Sequence, residues 1–408
     1  MTLKKSKHKN ITVIGAGPVG MLAALSLAHK GYSVFLIGPL THVDELRTTA
    51  LMTPAVQMLQ KINVWNTLQR HAAALSSIRI VDITSRVVRA PTVNFCSAEI
   101  GEKAFGYNIP NIELNNALAD AVTHMPNIIR FFSLAKFFHH QQDHIRITLS
   151  SGEVIQTPLV VAADGRHSPT RAAAGIGIKQ WNYSQTALVL NFSHEFPHQN
   201  TSTEFHTENG PFTQVPLLGH RSSLVWVVNP SRAKELLSID SKAIAKIIEN
   251  QMQSMLGKLI LETPIQAWPL SGLISHRFAA NQTILVGESA HVLPPIGAQG
   301  LNLGFRDVQT LIDVLPKQVL NFNSKEIVTH YNQIRRPDIF IRSTSVHMLN
   351  YALLSHLLPV HIMRGIGFGL LHHCSPLRNF FMREGISLGY GLKEIMPKFP
   401  IKFPKKLH

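Results

Sequence analysis

Largely apolar runs, each too short for a helix, recur along the chain at Ile11–Ile14, Tyr32–Ile37, Leu159–Ala163 and Thr283–Val286. Runs of this length bounded by glycine or small residues predict strands buried on both faces of a parallel sheet. Between the first two, Val19–Lys30 is apolar and small, closes at Gly31, and reads as a helix. Helical spacing also marks Pro54–Ile62 through Val56, Leu59 and Ile62, and Ile112–Val122 through Leu114, Leu118 and Val122. Ala243–Leu259 and Leu303–Leu315 read the same way, and the rest of the C-terminal part is helical. Alternation of apolar and polar positions predicts half-buried strands in Ile78–Val93, Ala187–Phe192 and Ser223–Val228. Ile145–Leu149 and Val154–Thr157 form a hairpin pattern turning at Ser151-Gly152. The chain therefore reads as an α/β, Rossmann-like nucleotide domain interrupted by a mixed-sheet insertion and followed by helices.

Size and charge narrow this picture. With 408 residues, two or three domains are expected; 45% hydrophobic and 15% charged residues exclude a disordered chain. The two cysteines, Cys96 and Cys374, cannot build a disulfide framework or a cysteine zinc site, which fits a reducing, cytoplasmic setting. Net charge is +15, yet no zinc-finger spacing, helix-turn-helix cue or RNA-binding aromatic signature accompanies it, so no nucleic-acid partner is expected. An anionic membrane surface is the better match. Leu349–Leu371 is rich in Leu, Ile, Met and Phe but broken by His356, Pro359, His361, Arg364 and glycines, a poor spanning segment. Two readings stay open for it: a buried C-terminal helix pair, or an interfacial helix flanked by Arg378, Arg383, Lys393 and Lys398, peripheral on the inner membrane surface. The adjacent pairs His139-His140 and His372-His373 lack an acidic partner and helical spacing, so no metal is assigned.

Three glycine-bearing signatures carry the chemistry. Gly15-Ala16-Gly17-Pro18-Val19-Gly20 sits between the first strand and the first helix, the context that a dinucleotide fingerprint needs. Gly15 permits the tight turn, Gly17 lets backbone approach a pyrophosphate, and Gly20 lets helix and strand pack closely. The second is Ala163-Asp164-Gly165-Arg166-His167-Ser168-Pro169-Thr170-Arg171. The third is Val286-Gly287-Glu288-Ser289-Ala290-His291, running into Pro294-Pro295-Ile296-Gly297-Ala298-Gln299-Gly300-Leu301-Asn302. The acid expected at the end of the second strand is missing: Gly38 occupies its place, and Asp44 or Glu45 are the nearest substitutes.

On these motifs, with Leu46-Arg47-Thr48-Thr49-Ala50-Leu51, Asn108-Ile109-Pro110-Asn111 and Arg335-Arg336-Pro337, the chain resembles the class A flavoprotein aromatic monooxygenases, and among them the ubiquinone-biosynthesis hydroxylases. The resemblance implies FAD held by Gly15, Gly17, Pro18, Gly20, Arg47, Asn111, Asp164, Gly165, Arg171, Gly287, Glu288, Pro295, Gly297, Gly300, Leu301 and Asn302. It implies an FAD-binding domain of the aromatic-hydroxylase type over 1–75, 100–178 and 276–330, a substrate domain over 76–99 and 179–275, and a helical region over 331–408. It further implies NAD(P)H or another electron donor, dioxygen, and a polyprenylated phenol or quinol hydroxylated through a C4a-hydroperoxyflavin, with other ubiquinone-biosynthesis proteins as partners. No catalytic side chain is assigned, because the flavin does the chemistry. Glu288 stands where the family has aspartate. Another FAD enzyme of the same fold (a soluble aromatic hydroxylase or a prenyl reductase) and a catalytically silent scaffold subunit are the competing readings.

Overall fold

The computed structural model describes residues 10–39, 46–86, 89–295, 297–316, 322–354 and 358–386. The apolar runs become the centre of a six-stranded sheet, ordered Ala279–Ala280, Thr283–Leu285, Val160–Ala162, Asn10–Ile14, Ser33–Ile37, Ile128–Phe131. All neighbours are parallel except the first pair, an antiparallel hairpin. Ile11, Val13, Val160, Val161 and Ile284 are inaccessible to solvent, the condition that makes such strands apolar throughout. The helix Pro18–His29 lies on this sheet and also packs against helices Asn111–Thr123 and Gln299–Val314. Surrounded on all sides, it buries Leu22, Leu25 and Leu27 completely, each contributing roughly 1.5–3 kcal/mol.

The alternating segments form a second, larger sheet. Its order is His291–Val292, Gln266–Ser275, Ile178–His194, Arg221–Val228, Gly210–Leu217, Thr201–Thr207, Ser77–Asp82, Val93–Cys96, with Leu259–Leu261 beside Ile178–His194. One face is covered by helices Pro230–Leu237 and Ser241–Gln251 over Phe192, Phe212, Leu224 and Trp226. A small sheet of Thr48–Met52, Gly106–Pro110 and Ala73–Leu75 stands beside the first helix layer, and the hairpin at Ser151-Gly152 belongs to a further three-stranded sheet.

Four sequence expectations need correction. Of the stretch expected as strands over Ile78–Val93, only Ser77–Asp82 forms before Val93 opens the next strand, and 83–86 and 89–92 carry none. The helix expected over Ala243–Leu259 ends at Gln251, because Gln253 and Ser254 take left-handed backbone (φ 53 and 55) and Leu259 enters a strand. The helix expected from Leu303 starts at Gln299, with Gly300 in its first turn. The C-terminal segment is not a buried pair. Helices Ser324–Leu354, Leu358–His373 and Ser375–Ile386 leave large apolar side chains in solvent, among them Phe340, Met348, Met363, Ile366 and Phe381.

Candidate active site

The glycine turn sets the geometry. Gly15 has φ +108, and a Cβ there would lie 2.2 Å from the Ala163 carbonyl oxygen and 2.7 Å from the Asp164 nitrogen. The first and second signatures are thus in backbone contact. A Cβ on Gly20 would meet the Gly15 oxygen at 1.9 Å, whereas one on Gly17, at φ −73, meets nothing within 4 Å. Two glycines close the turn and the third leaves room beside the backbone. The first helix carries no side-chain cap and no acid in its first turn, so its N-terminal N–H groups and partial positive charge stay available to an anion.

In the second signature, Asp164 folds its own loop. Its carboxylate accepts from the Ser168 hydroxyl and from the Thr170 nitrogen (3.1 Å), and Ser168 caps the short helix Pro169–Ala173 through the Arg171 nitrogen (2.9 Å). Gly165 takes φ +81 with open space where a Cβ would stand. Arg171 is buried and donates to the carbonyls of Ser289 (2.8 Å) and Arg166 (2.9 Å). Its guanidinium staples the second signature to the third, and burial lowers its pKa against the pull of Asp164.

The third signature is pressed against the first. Gly287 (φ +62) and Gly304 both lie under Val19: Cβ atoms there would come within 3.2 and 2.7 Å of its Cγ2. Helix Gln299–Val314 begins at Ala298 in left-handed backbone, again without a side-chain cap or an acid in its first turn. Pro295, Gly297 and Gly300 before and within that turn are exposed, and Leu301 packs partly against the core. Ile296 lies outside the described residues. Asn302 locks the loop to the small sheet, accepting from the Met52 nitrogen (2.9 Å) and donating to the carbonyls of Ala50 (2.8 Å) and Ala298 (2.7 Å). Asn111 joins the same sheet: its nitrogen donates to the Arg47 carbonyl (2.9 Å) and its side chain accepts from Thr49. Arg47 stacks on Trp268 at 4.5 Å, and Asn191 donates to the Leu46 carbonyl (3.0 Å), so this segment ties the small sheet to the larger of the two big sheets.

Beneath the loop lies a buried ionic network that the sequence reading missed. Asp307 is inaccessible and accepts from the Gly287 nitrogen (2.8 Å), His291 Nε2 (2.8 Å) and Arg335 Nε (2.8 Å), with Arg335 Nη2 ion-paired to it at 2.7 Å. Burial pushes its carboxyl upward, but His291 and Arg335 outweigh that and hold it below the usual carboxylate range. Arg335 continues to Asp338, which also holds Arg342 (3.0 Å), and Arg342 donates to the Gln299 side chain (3.2 Å). Arg306 beside them falls to a pKa of about 10 through burial and the repulsion of Arg342. A signal was legible: an acid at the 303, 307, 311 spacing of an otherwise buried helix face.

The three signatures are thus in mutual contact, and Gly17, Gly165 and Gly300 within them each have open space at the Cβ position. Comparison with known proteins agrees: the family model described as an FAD binding domain matches residues 8–339. The chain belongs to that FAD-binding family. Its cofactor is FAD. This FAD-binding protein is 29% identical to ubiquinone hydroxylase UbiL of Rhodospirillum rubrum, covering 95% of this chain and 91% of that protein. It is 29% identical to the 3-demethoxyubiquinol 3-hydroxylase of Escherichia coli, covering 94% and 98%. Among solved structures, p-nitrophenol 4-monooxygenase PnpA of Pseudomonas putida superposes with a TM-score of 0.74 at 16% identity, over 93% of this chain and 98% of that one. Klebsiella pneumoniae HpxO complexed with FAD gives 0.73 at 15%, over 93% and 98%.

The two departures from the family pattern have physical readings in this FAD-binding protein. Gly38 takes φ +154, and a Cβ there would stand 3.0 Å from the Ala16 nitrogen, so an acid does not fit this turn unchanged. Asp44 and Glu45 lie outside the described residues. Among the described residues Arg130 reaches this strand end, 3.4 Å from the carbonyls of Leu36 and Pro39. Glu288 is 61% exposed with its carboxylate 3.7 Å from Arg166 Nε, a surface pair worth at most about 1 kcal/mol. Glu288→Asp is accordingly expected to hold FAD within roughly fivefold of wild type or tighter. Fluorescence titration of the apoprotein checks this, and a larger loss would mean the site is built around the longer acid.

Proposed function

We propose that this protein is an FAD-dependent monooxygenase that hydroxylates the aromatic ring of a polyprenylated phenol or quinol in ubiquinone biosynthesis. The observation that supports the reading is the mutual contact of all three signatures, with the Asp307 network beneath the third. The residues expected from the sequence hold the cofactor here: Gly15, Gly17, Pro18 and Gly20 with the first helix N-terminus take the pyrophosphate. Asp164 and Gly165, braced by Arg171, form one wall; Gly287, Glu288, Pro295, Gly297, Gly300, Leu301 and Asn302 form the other, with Arg47 and Asn111 closing the side. The chemistry that FAD supplies when bound is transfer of one dioxygen-derived oxygen atom to an electron-rich ring, after reduction by NAD(P)H or another donor. The chain's own task is to orient the ring, exclude water and stabilise negative charge through the uncapped N-terminus of Gln299–Val314. The division into an FAD-binding part (1–75, 100–178, 276–330), a substrate part (76–99, 179–275) and a C-terminal helical part (331–408) belongs to the same proposal. On the sheet face towards Leu46–Arg47, Ala187, Val227 and Leu270 give an apolar floor, and the buried Asn191 Oδ1 and Ser223 Oγ have no hydrogen-bond partner among the described residues. That pairing suits a ring bearing hydroxyl groups.

The test is a deletion strain analysed by mass spectrometry of its quinone intermediates, with purified protein in parallel. The expected results are an accumulating under-hydroxylated prenylphenol and a yellow protein bleached by NAD(P)H or dithionite. An unchanged quinone pool rejects the pathway, and a colourless protein that FAD cannot reconstitute rejects an enzyme in favour of a scaffold.

The same proposal assigns the exposed apolar side chains of the C-terminal helices to a lipid surface. Among the described residues no helix is long and apolar enough to cross a membrane. Met363 (73% exposed), Phe340 (68%) and Ile366 (59%) accompany a net charge of +15, the combination that favours interfacial binding to anionic lipid. The paired substitution Met363→Glu with Ile366→Glu is expected to abolish co-sedimentation with phosphatidylglycerol vesicles while leaving FAD content unchanged. Undiminished sedimentation would remove these helices from the contact.

A further inference from the structure

Away from the three glycine signatures, a cavity of about 610 Å³ opens on the outer edge of the six-stranded sheet. It is walled by the hairpin through Asn281 and Gln282, by the turn after His140, and by one face of the long C-terminal helix at Lys325, Val328, Thr329 and Asn332. Its volume lies in the range of small-molecule sites. The walls are cross-tied rather than loosely apposed. Gln282 donates to the carbonyls of Gln141 (3.0 Å) and Gln142 (2.9 Å), Asn281 to that of Ala174 (3.1 Å), and Asn332 accepts from the Phe278 nitrogen (2.8 Å).

Its chemistry is one-sided. Arg277, Lys325 and His140 line it, and no carboxylate does. Among the described residues neither Arg277 nor Lys325 makes an ion pair, and both ring nitrogens of His140 are buried without a hydrogen-bond partner. His140 is half-buried as a residue, and ring nitrogens enclosed without a partner are costly unless something polar meets them. Arg277 and Lys325, both exposed, give the cavity a positive lining that favours an anion with several acceptor oxygens. Val328, Ala279 and Ala280 supply an apolar remainder that a bare inorganic ion leaves unused.

We propose that this cavity is a second ligand site, separate from the FAD site, that binds the phosphate groups of a nucleotide-sized phosphate ester. FAD-loaded protein is the right material, because its own pyrophosphate site is then filled. Isothermal titration with ADP and with inorganic pyrophosphate is expected to show saturable binding weakened on the order of 100-fold by Arg277→Ala with Lys325→Ala. His140→Phe is expected to weaken it as well, with FAD content unchanged in each variant. Vesicles containing phosphatidic acid form the second arm. Sedimentation lost in the Arg277/Lys325 double variant, without binding of the soluble probes, assigns the same phosphate chemistry to a lipid headgroup. Absence of binding in both arms, or binding that these substitutions leave unaltered, overturns the site.

Discussion

Gly17→Val is expected to give a folded protein that has lost its flavin. At Gly17 the backbone is extended (φ −73, ψ 177), a region where valine is at ease, and a Cβ meets nothing in the chain. Under the proposed assignment, the added branches project into the space that the cofactor's pyrophosphate needs. Losing two charge-assisted hydrogen bonds at about 1.5–3 kcal/mol each corresponds to roughly 100-fold to 10,000-fold weaker FAD binding. The measurement is FAD stoichiometry after gel filtration, beside the urea midpoint of the apoprotein, which is expected to match wild-type apoprotein. Gly20→Val is the contrasting case. Its Cβ would stand 1.9 Å from the Gly15 oxygen and 3.2 Å from the Ala163 Cβ, so the substitution is expected to destroy folding rather than binding alone. Stoichiometric FAD retained by the Gly17 variant would show that the loop is misassigned.

Asp307→Ala is the second large effect. The substitution strips the carboxylate that meets both His291 and Arg335, leaves the Gly287 nitrogen without its acceptor, and leaves a guanidinium that is 1% exposed with Asp338 as its remaining carboxylate among the described residues. Breaking a buried pair in this way costs about 3–5 kcal/mol. The expected outcome is a fall of that size in urea unfolding free energy together with faster FAD release, because the Gly287 loop is held in place through Asp307. Replacing Asp307 and Arg335 together by leucine is expected to recover much of the stability but not the FAD retention. A wild-type urea midpoint for Asp307→Ala would mean that the network is dispensable. The sign of the pH effect follows from the lowered carboxyl. Its stabilising contribution is complete above the unfolded-state value near pH 4 and is lost as pH falls through the lower folded-state value. Wild-type protein should therefore lose this stability only in acid, and Asp307→Ala should lack that step.

The element pattern was largely legible because the local rules that make it are local. Apolar runs at 11–14, 32–37, 159–163 and 283–286 became strands of one sheet, and the expected hairpin at Ser151-Gly152 formed. The expected helix through Leu259 failed where it did because left-handed residues at 253 and 254 carry no glycine to announce them. Asp164 and Arg171 were legible as important residues but not in their geometry. Both spend their polar atoms on the chain itself, one shaping a turn and the other stapling two signatures. The packed C-terminal pair was undecidable from composition, since an apolar helix face reads the same whether it meets protein, lipid or water.

Glycine spacing and strand periodicity sufficed to determine a nucleotide-binding α/β chain, since each depends on backbone conformation within a few residues, and the family resemblance carried by the three signatures implied FAD. Only the tertiary structure decided which glycines are closed and which face open space. It also decided that Asp307 and Arg335, 28 residues apart, form one buried pair under the Gly287 loop. The physical reason is that burial and ion pairing are properties of neighbours in space. A residue's type states what partner it needs, and the fold alone states which partner it receives.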